Sequence, residues 1–425
     1  MKKTFTLIAL LIGLAGINHA RAQRDNRSHE EGVVTVVGNE NADASDVEKV
    51  FKHNAPQTPN VNGLPRFALV GKEGKFYIGL GAQFLGEGVF DWGDQMPSAL
   101  DMTPSSILPR TPGNGSNLRF GWQTSSIYMN VVAMPGNENQ IGLFFKANFT
   151  GNNNGFNVSH LYAKYRGLTV GLTNSLFIDG EAEPFTIDNE GPNGYPDMTV
   201  FTAYWVQDFT KNFSGAIGID APSVSFSYAG ATEKVNQRIP AIPLYLQYAW
   251  GGGDSHIRLS GIVRPMLYRD VAAGENKTIV GGGVQLSGMT HIVGGLSAQF
   301  NGAFGKGIGN YLQDDNELGL DAVATTDAGK MKAVTSMGVT GGLSYQFSPK
   351  LTGNVCYSHL TNWMPDDAVD SGDTYRYGDY CTANLVYAFN KFISAGVEYD
   401  YGHRKALDGT GLHTNRVQAQ LAVTF

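Results

Sequence analysis

The feature that most constrains this chain is an alternation of apolar and polar residues with period two. It recurs from Lys75 to the last residue. Phe76, Ile78, Leu80, Ala82 and Phe84 alternate with Tyr77, Gly79, Gly81 and Gln83. Val417, Ala419, Leu421, Val423 and Phe425 alternate with Arg416, Gln418, Gln420 and Thr424, and only Ala422 breaks the polar set. Period two is a strand whose two faces meet different surroundings. Phe144 and Ile262 interrupt the polar face in the same way in their own segments. About sixteen such segments can be counted, each roughly ten residues long, which is the signature of a transmembrane β-barrel.

Composition agrees. Charged residues are 16% of the chain, against the roughly 25% of soluble domains. Gly is 54 of 425 residues and aromatics are 11%. No stretch reaches the roughly 18 apolar residues of a membrane helix. The fold class expected is therefore all-β, a transmembrane antiparallel barrel of about sixteen strands. The formal net charge is −7 without a basic cluster, so no nucleic-acid partner is expected.

The N-terminus has the parts of a leader. Lys2 and Lys3 precede an apolar run from Phe5 to Ile17, and Ala20-Arg21-Ala22 fits a cleavage site. The expected organisation is a signal peptide at 1–22, a polar periplasmic segment at 23–63 with one short helix, and the barrel at 64–425; the helix would carry Val47, Val50 and Phe51 on one side and is read as a surface helix ahead of a lumen plug or a partner-docking helix. Predicted connections alternate in length. Gaps such as 91–116, 177–197 and 305–331 are long, whereas 166–167, 289–290 and 390–391 are short. This pattern predicts long extracellular loops, tight periplasmic turns and both termini in the periplasm of a Gram-negative bacterium. Phe425 then sits in the periplasmic aromatic girdle, on the expected signal for the outer-membrane assembly machinery.

Three stretches resemble the DcaP-like family of outer-membrane porins: "HLYAKYRGLTVGLTNSLFID" (160–179), "EGPNG" (190–194) and "FGKGIGNYLQD" (304–314). The resemblance implies a homotrimeric, sixteen-stranded porin, with the loop near 177–197 forming the constriction. Its surroundings would be outer-membrane lipid, and its solutes small and hydrophilic.

A pore acts through the charges at its narrow place. The constriction loop carries Asp179, Glu181, Glu183, Asp188 and Glu190. Alternation turns Arg119, Lys146, Lys164, Arg258, Arg264 and Arg416 toward the lumen. Arg119, Lys146 and Lys164 are expected side by side as a basic ladder facing that acidic loop. The expected preference is for anionic, carboxylate-bearing solutes, with the alternative that these charges only solvate the lumen. Cys356 should point inward and Cys381 outward, which argues against a disulfide. No Cys/His spacing suggests a metal, and no cofactor is expected. "GGGD" and "GKGIG" match neither phosphate-loop pattern, and no nucleophile elbow occurs, so the chain is not expected to be an enzyme. A barrel transporter for hydrophobic solutes and a surface adhesin are the alternatives.

Overall fold

The computed structural model describes residues 35–37, 44–56, 65, 67–71 and 73–425. The expected leader lies outside the described residues. Two strands, β1 (Thr35–Val37) and β2 (Phe67–Val70), flank helix α1 (Ala44–Asn54). The barrel then begins with β3 (Phe76–Gly93). β4 (Ser116–Gly121) and β5 (Ser126–Ala133) form the two halves of one broken strand, because both pair with β3. β6 (Ile141–Gly151), β7 (Gly155–Tyr165), β8 (Leu168–Asn174), β9 (Thr199–Asp208) and β10 (Phe213–Asp220) follow. Two short loop strands come next, β11 (Phe226–Ser227) and β12 (Thr232–Glu233). The wall resumes with β13 (Ile242–Trp250), β14 (Ser255–Asp270), β15 (Glu275–Val293) and β16 (Leu296–Lys306). β17 (Ala322–Ala324) and β18 (Met331–Ala333) belong to a loop. β19 (Thr335–Ser348), β20 (Leu351–Trp363), β21 (Tyr375–Ala388), β22 (Ile393–Ala406) and β23 (Gly411–Thr424) complete the wall.

Consecutive wall strands are antiparallel neighbours, and β23 pairs with β3, so the sheet closes with sixteen strands. Closure is what membrane insertion demands. Lipid offers no hydrogen-bond partner, and a closed sheet leaves no edge. Phe425 finishes the seam: its N–H donates to the Ala82 carbonyl at 2.8 Å, and Ala82 N–H donates back to Phe425 at 3.1 Å. Below that point β3 outruns β23, and β2 takes over its free edge by pairing Phe67 with Leu80 and Val70 with Tyr77.

The alternation sorts as expected. Outward residues are large and apolar, with Phe120, Val280 and Phe304 among those exposed. Inward residues are polar and buried, for example Gln285, Ser287, Asn354 and Thr382. The long connections all fall at one end of the barrel, although 152–154, 271–274 and 407–410 at that end are short. β10 ends at Asp220, and the chain continues as a loop that carries β11 and β12.

The helix departs from expectation. Its apolar side is as predicted, with Val47 and Phe51 fully buried, but it is not a surface appendage. It docks on the inward face of β5, β6 and β7. Asn54 Nδ2 donates to Asn130 Oδ1 at 2.6 Å and to the Leu143 carbonyl at 3.1 Å. Tyr162 OH and Lys164 Nζ donate to the carbonyls of Asn54 and His53, at 2.7 Å and 3.3 Å, and so satisfy the helix C-terminus. Gly142 permits the approach, since a Cβ there would stand 1.9 Å from Asn54 Oδ1.

Both cysteines are free, Cys356 buried and Cys381 exposed on the outward face. In the detergent-folded protein, a maleimide should label Cys381 rapidly and Cys356 only after unfolding. Mass spectrometry of the labelled peptides checks this, and equal labelling of both would contradict the strand orientation.

Candidate functional site

Three long connections at one end of the barrel turn inward: loop 1 (94–115), loop 3 (175–198) and loop 6 (307–334). Loop 3 crosses the interior and is fastened at both ends. Near its start, Asp179 Oδ2 accepts from Ser287 Oγ at 2.6 Å and lies 2.7 Å from His256 Nε2, on the wall formed by β14 and β15. Arg258 Nη1 donates to the Ile178 carbonyl at 3.2 Å. Further along, the N–H groups of Ile187 and Asp188 donate to the Glu398 carboxylate at 2.8 and 2.6 Å, on β22. Gly194 N–H donates to Ser358 Oγ at 2.8 Å, on β20. Gly338 allows this last contact, because a Cβ there would lie 2.0 Å from the Gly194 carbonyl oxygen.

Loops 1 and 6 then lock loop 3. Met102 N–H donates to Asp188 Oδ1 at 2.8 Å, and Thr103 Oγ1 donates to the Glu190 carboxylate. Gln313 N–H and Asp314 N–H donate to the carbonyls of Tyr195 and Asn193 at 3.0 and 3.1 Å. An apolar core forms inside the barrel from loop residues Phe177, Ile178, Tyr195, Tyr311, Leu312 and Leu320. They pack against inward wall residues that include Ile262, Ala303 and Leu360. Ile262, an exception to the strand alternation, is thus a docking point. Phe144 is another: it lies in a buried cluster with Ala55, Tyr128 and Tyr162, beneath the helix.

The predicted site residues divide into tethers and lumen groups. Asp179 is fully buried. Burial alone would raise its carboxyl, but Arg258, His256 and Ser287 outweigh that and hold it below the ordinary carboxylate range. Asp188 is also buried, at 3.7 Å from Arg416 Nη1. Arg264 grips Asp321 of loop 6 through two bonds of 2.6 and 2.9 Å, and its guanidinium stacks 4.6 Å from the Tyr311 ring centroid. Arg416 Nε donates to Asp91 Oδ1 at 2.8 Å, and Arg119 pairs with the other oxygen of Asp91. Arg264 and Arg416, placed in the sequence reading among lumen-lining cations, are therefore fully buried tethers whose charge is spent locally.

The basic ladder is not a row. Arg119 stands opposite Val89, whereas Lys146 stands opposite Tyr128, which itself pairs with Gly81. Eight residues of β3 separate the two levels, roughly 26 Å along the strand. Lys164 lies lower still, opposite Gly142, and is occupied by the helix end. Alternation predicts which face a residue joins but not its level, because level depends on barrel shear.

What remains open to the lumen is smaller. Among the described residues Lys146 makes no hydrogen bond or ion pair through Nζ, and it stands opposite His160. On loop 3, Glu183 and Asp197 have no side-chain partner among the described residues. Burial, and secondarily the charge of Asp197, push the Glu183 carboxyl up to about 8. Asp197 is raised by burial as well. Glu181 is only partly buried, at 3.8 Å from His256 Nδ1. Asp179, Glu181 and His256 bring their donor atoms within 4.8 Å of one another, a set chemically able to hold a metal. Arg258, 3.6 Å from Asp179, already supplies the compensating charge.

The fold has solved counterparts. The outer-membrane channel DcaP of Acinetobacter baumannii superposes with a TM-score of 0.73 at 18% identity, over 83% of this chain and 99% of that one. An anion-selective porin from Comamonas acidovorans gives 0.52 at 10% identity, covering 83% and 100%. Pseudomonas putida OprB gives 0.52 at 10%, covering 82% and 94%. No protein-family model matches the chain, and no curated protein matches its sequence. The DcaP resemblance read from the sequence holds at the level of the fold.

Removing the first tether tests the arrangement. Asp179→Asn strips Arg258 and His256 of their buried partner and should destabilise the folded barrel by about 3–5 kcal/mol. The midpoint of the heat-induced mobility shift on gels should fall, while Glu138→Gln, an exposed turn residue, should leave it unchanged.

Proposed function

We propose that this chain is an outer-membrane porin that passes small hydrophilic solutes and prefers anions, carboxylates among them. The observation that carries the reading is loop 3 drawn across the interior of a closed sixteen-strand barrel and fastened to opposite walls. A barrel of this size leaves an aqueous interior unless something narrows it. Loop 3 narrows it without building a cleft lined by a nucleophile and its base, so we read a channel and not an enzyme. The long loops face outward from the cell, and both termini are periplasmic. Assembly as a homotrimer and recognition of Phe425 by the assembly machinery belong to the same proposal.

The anion preference follows from which charges remain free. Most lumenal carboxylates are committed to tethers such as Asp179–Arg258 and Asp91–Arg416. Glu183 is largely protonated at neutral pH because its carboxyl titrates near 8. Lys146 keeps its charge without an acidic partner. The free cation of Lys146 favours anions in the passage, most strongly at low salt.

Two substitutions read this directly in planar bilayers. Lys146→Gln should move the zero-current potential in a salt gradient toward cation selectivity, with unit conductance retained. Raising the pH from 7 to 9 ionises Glu183 and should shift the wild-type potential in the same direction; Glu183→Gln should reduce that shift. A potential unmoved by Lys146→Gln means that these charges solvate the lumen and do not select.

A further inference from the structure

The outward wall should be apolar, since a charge on the lipid side costs free energy. A row of four residues breaks this. His359, Asp379, His403 and His413 lie directly opposite one another across β20, β21, β22 and β23. They share the outward face with Tyr357, Cys381 and Tyr401. Asp379 is satisfied by the wall itself. Its Oδ1 lies 2.8 Å from His359 Nδ1 and accepts from Tyr357 OH at 2.8 Å, and its Oδ2 lies 3.1 Å from His403 Nδ1. The Tyr377 ring lies between both imidazoles, 5.7 and 5.8 Å from their centroids. Bonded to the carboxylate through Nδ1, each histidine turns Nε2 away from Asp379.

Above this row the next outward pair is Lys405 and Gly411. Gly411 leaves a notch: a Cβ there would lie 3.6 Å from Lys405 Nζ and 3.8 Å from His403 Nε2. Two nitrogen groups thus border one small opening on the lipid side. The row is at girdle height, because Trp92 pairs with Asn415, which pairs with Tyr401. Below it the face turns apolar and concave. A groove of about 630 Å³ runs over β19 to β23, lined by Tyr345, Phe347, Val355, Leu385, Val397 and Val417. Ala383 lies within it, opposite Val355. Four residues of β21 separate Ala383 from Asp379, roughly 13 Å along the strand. The face is therefore amphipathic along its length, with nitrogen donors at the girdle and an apolar trough beneath.

We propose that this face binds one phosphate-bearing lipid of the outer leaflet, its phosphate at the Lys405–His403 notch and an acyl chain in the groove. Asp379 acts as the positioning residue that orients His403. The inference rests on the outer-membrane reading and on the long loops facing outward. It does not rest on conduction. A phosphate matches this site because it can accept from Lys405 Nζ, which also donates to the Gly409 carbonyl, and from Nε2 of His403 in its imidazolium form, whose Nδ1–H Asp379 holds.

The test uses the purified full-length barrel in detergent, stripped of lipid, with binding read by native mass spectrometry. The probes are diphosphorylated lipid A, its dephosphorylated form, and inorganic phosphate. Diphosphorylated lipid A should bind about tenfold tighter than the dephosphorylated form, the equivalent of one charge-assisted hydrogen bond. His403→Gln with Lys405→Gln should erase that ratio, and Ala383→Phe should weaken both lipids by filling the groove. Both variants should keep wild-type conductance, which shows that the barrel is intact; a loss of conductance in the wild type would instead count against the porin reading. Equal binding of the two lipids, or displacement of the lipid by inorganic phosphate at comparable concentration, overturns the proposal. So does a subunit contact that Ala383→Phe abolishes, because the face then belongs to a second copy.

Discussion

Everything in this structure follows from the demand that no backbone polar group be left unpaired in lipid. The pairing of β23 with β3 meets that demand by closing the sheet. Phe425 and Ala82 exchange both of their hydrogen bonds at the seam, and β2 covers the part of β3 that β23 does not reach. Once the sheet is closed, each strand has one face in lipid and one in the lumen, and period two is the only sequence pattern that serves both.

Closure creates a second problem. Sixteen strands enclose more space than their own side chains fill. The chain fills it from both ends. Helix α1 occupies the inner face of β5, β6 and β7 at the short-turn end. Loops 1, 3 and 6 build an apolar core of their own at the other end. The buried ion pairs hold these parts in place: Asp179 with Arg258, Asp321 with Arg264, and Asp91 with Arg416. Breaking one such pair is far more damaging than its net contribution suggests, because a lone charge is left buried. The lumen charge that reaches solutes is what remains after these tethers are subtracted.

The barrel was legible in the sequence because lipid and water impose their alternation on every strand. The inward direction of Arg258, Arg264 and Arg416 was legible for the same reason. Their role as tethers was not. It depends on Asp179, Asp321 and Asp91, which lie far away in the chain and meet them only when loops fold inward. The ladder of Arg119, Lys146 and Lys164 failed because face and height are independent, and only the face has a local signal. The docked helix was ranked below a surface helix, although a signal for docking existed. Phe144 and Ile262, apolar residues on the polar face, each mark a place where an interior segment lands. The outward row of His359, Asp379 and His403 also lay in the alternation, as polar residues at apolar positions.

The central claim is that loop 3 sets the narrow point of an open channel. Single-channel conductance in planar bilayers tests it most directly, comparing the natural chain with one in which residues 181–196 are replaced by a short Gly-Ser linker. The account predicts discrete ohmic steps for the natural chain and steps several-fold larger for the shortened one. Equal steps, or no conductance from the natural chain, would contradict it.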